Sequence, residues 1–246
     1  MIGDRMTDPA FLDELTINAT AATTHQVVDG WLLRAAPALP FRRSNCAIPL
    51  RAAATIPISV IEEFYEDREL TPRVQVTTGA DPAVDARLAQ RNYEIEAPVD
   101  ILVAPSATVE SRARAAANVH LSTITNRDDR FAGIYSRLHD GNDRVRAYGE
   151  MMATIGPPAR AVIAKIDGEP VGMAFGVAER GWCGVYGMST VPGMRRRGIA
   201  QTVLRALARD APNLYLQVER DNAAARALYD NVGFTHAYGY HYRVKR

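Results

Sequence analysis

The residue pattern predicts an α/β protein, and three observations within residues 184–234 carry that expectation. The β-rich run Gly184-Val-Tyr-Gly-Met-Ser-Thr-Val191 stops at the breaker pair Pro192-Gly193. Past Gly198 the period becomes helical, with Ile199, Val203, Leu204 and Leu207 on one apolar stripe. A second strand, 214–219, then feeds a second helix that Asp221 or Asn222 can cap. In that strand Leu214, Leu216 and Val218 face one way, and Tyr215, Gln217 and Glu219 the other. Ala224, Ala225, Leu228 and Val232 supply the buried stripe of the helix.

Composition narrows the class. A chain of 246 residues has room for one large domain or two modest ones. Apolar residues at 47% and charged residues at 23% are ordinary for a globular protein. The formal net charge of +1 calls for no polyanionic partner, so nucleic acid is not expected. Cys46 and Cys183 fit no metal or disulfide spacing, so no metal is expected. Without a signal-like start or a run of about twenty apolar residues, the expectation is a cytoplasmic protein with no membrane partner.

Taken in order, the chain opens with a polar entry and a short helix around Pro9–Leu15. Val27–Ala36 and Phe41–Leu50 read as a strand pair around Pro37-Ala-Leu-Pro40. Ser59–Leu70 is helical, 73–77 a strand, Pro82–Gln90 a helix with proline near its start, and Tyr93–Val103 one strand or two. Residues 104–118 connect the halves. Then follow a strand over Val119–Thr125 and helices over Asp128–Leu138 and Asp143–Thr154. Arg160–Ile166 and Pro170–Ala178 form a hairpin around Asp167-Gly168, and Tyr238–Val244 alternates as a last strand. The halves echo each other weakly. Val74-Gln-Val76, Asp81–Leu88 and Asn92-Tyr93 parallel Leu214–Leu216, Asp221–Leu228 and Gly233-Phe234, either as a repeat or by chance.

Arg195–Ala200 sits where a strand feeds the first turn of a helix. Unpaired N–H groups and the positive end of the dipole face outward there, and Gly198 and Ala200 let a phosphate come close. Asn222 and Tyr229, seven apart, share one side of the next helix. Arg195-x-x-Gly198-x-Ala200 resembles the Gln/Arg-x-x-Gly-x-Gly/Ala signature of the GCN5-related N-acetyltransferase (GNAT) superfamily. Asn222-x-x-Ala225-x-x-Leu228-Tyr229-x-x-x-Gly233-Phe234 resembles its second motif. The resemblance covers residues 119–246 well and the first half loosely.

The resemblance implies a mixed sheet with helices on both faces, and two central strands that splay to admit an acyl thioester. Gly187 in mid-strand is either the bulge that starts the splay or an unstrained glycine. The implied organisation is a degenerate GNAT-like domain over 1–110, with the chain's catalytic GNAT domain over 111–246. Arg51-Ala-Ala-Ala-Thr-Ile-Pro57 has no glycine with which to make a phosphate turn in the first half. The implied function is acetyl transfer from acetyl-CoA to a primary amine by direct attack. A non-catalytic acyl-CoA sensor and a longer acyl donor are the alternatives.

The donor would be held by Met188, Ser189, Thr190, Val191, Arg195, Arg196, Arg197, Gly198, Ile199, Ala200, Gln201 and Asn222. Tyr229, also a binding residue, would protonate the departing thiolate. Glu219 is the candidate base, with Glu150 and Glu179 behind it, because Gln217 occupies a position where some relatives carry glutamate. Trp182, Tyr186, Tyr240 and His241 either line the acceptor pocket or pack the core. The expected partner is a small-molecule or peptide amine, and the expected assembly a monomer or homodimer. Ser189 lacks the second glycine of a nucleophile elbow, and no Gly-x-x-x-x-Gly-Lys loop occurs.

Overall fold

The computed structural model describes residues 8–39, 41–50, 55–78, 80–139 and 141–246. The chain divides into two compact units, residues 1–100 with 237–246, and residues 101–236. The run Arg51–Ala54, expected to be unable to form a phosphate turn, lies outside the described residues, as do Pro40 and Asp140 of the expected connections.

The first unit contains α1 (Pro9–Asn18), β1 (Thr24–Val28), β2 (Trp31–Ala35), β3 (Ala47–Pro49), α2 (Ile58–Glu66), β4 (Arg73–Thr77) and α3 (Pro82–Gln90). It also holds most of β5 (Glu94–Pro105) and of the last strand, β11 (Thr235–Val244). The strand expected over Val27–Ala36 is in fact a hairpin. Asp29 (φ 48°) and Gly30 (φ 83°) are both left-handed, the two-residue turn that matches strand twist, and Val28 pairs with Trp31 across it. β2 then pairs antiparallel with β3 through Leu33 and Ala47. The connection between them is held by Asn45, whose Oδ1 accepts from Ala36 N–H (2.8 Å) and whose Nδ2 donates to the Leu39 carbonyl (2.9 Å).

The echo between the halves has a local structural counterpart. Asp81 caps α3 by accepting from Ala83 N–H, and left-handed Asn92 (φ 63°) ends it, with Tyr93 N–H bonding back to the Leu88 carbonyl. In the second unit Asn222 caps α8 (Ala223–Val232), left-handed Gly233 (φ 98°) ends it, and Phe234 N–H bonds back to the Tyr229 carbonyl. Both closures leave a glycine or asparagine in the conformation that β-carbons resist.

The second unit adds α4 (Ser106–Arg112), β6 (His120–Thr125), α5 (Phe131–Leu138), α6 (Asp143–Met151), β7 (Ala159–Ile166), β8 (Glu169–Glu179), β9 (Trp182–Thr190), α7 (Ile199–Leu207) and β10 (Asn213–Glu219) before α8. Its strands lie in the order β5-β10-β9-β8-β7-β6. β6 through β9 pair antiparallel with their neighbours, and β9 with β10 runs parallel. Alternation along β8 separates the two faces. Phe175 meets Phe131 and Tyr135 of α5, whereas a side chain at Gly176 would strike Leu207 of α7. Arg160 of β7 fixes the far end of α7, pairing with Asp210 and donating to the Ala206 carbonyl at 3.0 Å. No helix among the described residues is long and apolar enough to cross a membrane.

Asp13 is the costly group of the first unit. It is 7% exposed and accepts a hydrogen bond from the Tyr238 hydroxyl at 2.7 Å. Burial raises its pKa to about 7, opposed by that hydrogen bond and assisted by the Asp8 charge. Between about pH 4 and 7 the folded state holds a proton that the unfolded chain has released, so this group makes stability fall as pH rises. Asp13→Asn, which keeps the acceptor for Tyr238, is therefore expected to stabilise the protein by a few kcal/mol at pH 7.5. The gain should shrink toward zero near pH 4 when urea unfolding is compared across that range.

Candidate functional site

The site begins with a mismatch between two strands. The parallel ladder of β9 with β10 runs from Trp182↔Asn213 to Val185↔Leu216 and ends there. Across β9 the register with β8 shifts between Tyr186↔Phe175 and Ser189↔Met173, so one residue of β9 is in excess. Gly187, in that excess, has φ 55°, which identifies it as the bulge rather than an unstrained glycine. A β-carbon there would sit 2.8 Å from Tyr135 and 2.9 Å from Phe175. Beyond the bulge the parallel ladder ceases and Met188, Ser189 and Thr190 border a cavity.

Residues 192–201 build the cavity's second wall. Pro192–Met194 makes one tight turn, and Arg196 (φ 62°) and Gly198 (φ 79°) are both left-handed. Alternating backbone signs of this kind turn successive N–H groups toward one concavity, a geometry that suits anions. Gly198 caps α7 without a side-chain hydrogen bond, and the first helical bond given by the turn is Thr202 N–H to its carbonyl. The N–H groups of Ile199, Ala200 and Gln201 thus open the helix with no acceptor inside it. The segment after α4 braces this end. Arg114 N–H donates to Gln201 Oε1 (2.9 Å), and Ala116 N–H to Thr202 Oγ1 (2.8 Å).

The third wall is the start of α8. Asn222 caps it by accepting from Ala225 N–H at 3.1 Å. Together the walls enclose about 510 Å³, lined by Met188–Thr190, 194–196, 198–201, Asn222, Ala224, Ala225 and Leu228. Ten of the residues expected at a donor site thus border one space: Met188, Ser189, Thr190, Arg195, Arg196, Gly198, Ile199, Ala200, Gln201 and Asn222. Val191, Arg197, Tyr229 and Glu219 do not line it. Val191 N–H is already engaged with the Val171 carbonyl at 2.9 Å, which turns that residue toward β8.

One expectation about α8 is corrected. Ala224, Ala225 and Leu228 are not the buried stripe that the periodicity suggested. Ala224 is exposed, the other two are half-buried, and all three form cavity wall. Tyr229 and Val232 are the residues that the helix buries. Tyr229 is 7% exposed, edge-on to Phe234 at 5.6 Å, and burial pushes its phenol up to about 12.

The candidate bases are scattered. Glu219 ends β10 exposed. Glu150 pairs with Arg146 at 3.2 Å, and Glu179 with Arg180 at 3.2 Å. Of the four aromatic residues singled out, Trp182 and Tyr186 pack against Tyr215, and the Tyr186 and Tyr215 hydroxyls bond at 3.0 Å. Tyr240 and His241 belong to the first unit, where His241 Nε2 meets Asp85 at 2.9 Å. The sequence reading missed the aromatic group around the bulge. Tyr135 stacks on His139 at 4.1 Å, and His139 Nε2 reaches the Gly187 carbonyl at 3.1 Å.

The bulge and its packing are open to a direct test. Gly187→Ala should destabilise the protein by about 1–3 kcal/mol, because both the backbone sign and the two rings oppose a β-carbon. Gly193→Ala, where a β-carbon meets nothing within 4 Å, should stay within about 0.5 kcal/mol of the parent. Urea denaturation of both variants measures the contrast.

Comparisons with known proteins bear on the family and the fold. The family model described as "Probable histone acetyltransferase Rv0428c C-terminal" matches residues 11–243. A GCN5-related N-acetyltransferase from Kribbella flavida superposes with a TM-score of 0.72 at 14% identity, covering 98% of this chain and 96% of that one. A functionally unknown conserved protein from Staphylococcus epidermidis ATCC 12228 gives 0.71 at 12% identity, covering 95% and 96%. A tandem GNAT protein from the clavulanic acid biosynthesis pathway gives 0.61 at 14% identity, covering 75% and 66%. With its splayed strands, glycine-capped helix and mixed α/β architecture, the chain belongs to the Rv0428c C-terminal acetyltransferase family of the GNAT superfamily.

Proposed function

We propose that the protein transfers acetyl from acetyl-CoA to a primary amine by direct attack, with residues 111–246 as the catalytic domain and 1–110 as a degenerate GNAT-like partner. The observation that carries this reading is the convergence of the β9 bulge, the α7 N-terminus and capped Asn222 on one cavity. Acetyl-CoA supplies an activated acyl group as a thioester. The N–H groups opening α7, beside Arg195 and Arg196, hold its diphosphate, as helix N-termini hold anions. The edge of Met188–Thr190 pairs with the pantetheine amides in the manner of an added strand. Asn222 borders the arm, and Met188 N–H polarises the thioester carbonyl.

Tyr229, buried directly after the cavity-lining Leu228, is assigned the proton for the leaving sulfur, which requires the thioester to reach past the cavity lining to it. Its burial keeps the phenol protonated across the physiological range, and desolvation raises the basicity of a thiolate brought beside it in the same sense. Among the described residues no carboxylate lines the cavity, and we assign the amine's proton to Glu219 at the end of β10, with Glu150, Glu179 or a water relay as the alternatives. The acceptor is an amine of a small molecule or a peptide. The description of the family as a probable histone acetyltransferase adds a protein lysine to that class.

Thermal unfolding with acetyl-CoA, run beside NADH and ATP, tests the donor. A ligand at about 100 times its dissociation constant adds about 2.7 kcal/mol, so acetyl-CoA should raise Tm by several degrees and the others should not. Gly198→Glu should abolish the shift, because it places a carboxylate at the anion-binding turn. Tyr229→Phe should keep the shift while lowering kcat on the order of a hundredfold in a thiol-release assay over an amine panel. A wild-type shift with no thiol release from any amine would favour the sensor reading.

A further inference from the structure

We infer that His139 is a positioning residue that sets the direction of the Met188 N–H from the opposite side of the β9 bulge. The inference rests on the acyltransferase reading above and goes beyond it, because His139 lies outside the cavity lining and outside both sequence motifs.

The geometry is a two-way clasp between the end of α5 and the bulged strand. Ser189 Oγ donates to the Leu138 carbonyl at 2.5 Å. In return His139 Nε2 meets the Gly187 carbonyl at 3.1 Å, while its Nδ1 meets the Tyr135 carbonyl at 2.9 Å. The ring also stacks on Tyr135 at 4.1 Å, with 18° between the planes. A carbonyl oxygen only accepts, so the neutral ring is assigned the tautomer with its hydrogen on Nε2, which donates to Gly187.

The Gly187 carbonyl and the Met188 N–H belong to one peptide unit. That unit is planar and, like every described peptide bond here, trans, so its C=O and N–H point in opposite directions. Fixing the carbonyl toward α5 therefore fixes the N–H away from α5. Fixing matters at this position in particular, because a bulge leaves its peptide outside the regular ladder and Gly187 imposes no side-chain restraint of its own. A donor to the carbonyl also polarises the peptide, which makes its N–H a stronger donor. Met188 is the cavity residue whose N–H is assigned to the thioester carbonyl, so His139 acts on the reaction through one peptide plane.

The amide variants separate the two ends of the ring. Gln at 139 places its nitrogen near the position of Nε2 and can still serve Gly187, whereas Asn mimics Nδ1 and serves only Tyr135. Both lose the ring stack, so a purely structural role predicts the same behaviour from His139→Gln and His139→Asn. The readout is the carbonyl stretch of acetyl-CoA labelled with carbon-13 at the thioester, in difference infrared spectra at saturating ligand. Wild type and His139→Gln should lower that frequency alike, and His139→Asn should return it at least halfway to the solution value. In turnover His139→Asn should lose about tenfold in kcat with KM for acetyl-CoA within about twofold, and His139→Gln should recover most of it. A His139→Asn band that stays at the wild-type frequency, or equal losses in the two variants, would overturn the role of His139 alone. A wild type that binds no acetyl-CoA would overturn the acyltransferase reading and this inference with it.

Discussion

Everything at the site depends on the ending of one ladder. β9 and β10 are bonded as far as Val185 and Leu216, and at Gly187 the extra residue of β9 breaks the common register. The bulge re-aims the backbone of β9 beyond it, pairing with β8 resumes at Ser189, and the parallel ladder with β10 does not resume. The strands therefore part, and the backbone from Met188 onward borders the cavity instead of a neighbouring strand. The bulge is in turn held from behind by rings. Tyr135 and Phe175 occupy the space that a side chain at 187 would need, which disfavours any other residue there.

The helices complete what the strands open. α7 rises directly from the far end of β9 through two left-handed residues, so its unsatisfied N–H groups lie at the cavity that the bulge created. Its other end is fixed by Arg160, Asp210 and the Ala206 carbonyl. α8 contributes in two ways from one face. Ala224 is exposed, Ala225 and Leu228 rest half-buried on the edge of the core, and all three line the cavity, while Tyr229, one residue on, is buried. Burial of that phenol keeps it protonated, and Ala224 and Ala225 before it leave room at the cavity.

The sequence was informative wherever the chemistry is local. The turn at Arg195–Ala200 and the cap at Asn222, read as one of two candidates beside Asp221, each depend on a few consecutive residues and could be read from them. What could not be read depends on partners far along the chain. His139 meets Gly187 across 48 positions, and neither residue alone signals the other. The stripe on α8 was misjudged for a related reason, since periodicity reveals which face is apolar but not whether another element covers it. Asp29-Gly30 was passed over because Val27 and Val28 join the apolar run after it, although the same dipeptide at 167–168 was recognised.

Hydrogen exchange of backbone amides, with and without acetyl-CoA, addresses the central claim most directly. On the proposed reading the parted strands and the opening turn of α7, which border one cavity, form one donor site, so ligand should slow exchange at Met188–Thr190 and at Ile199–Gln201 together. Slowed exchange confined to other residues, with both of these stretches unchanged while the ligand is bound, would contradict the account.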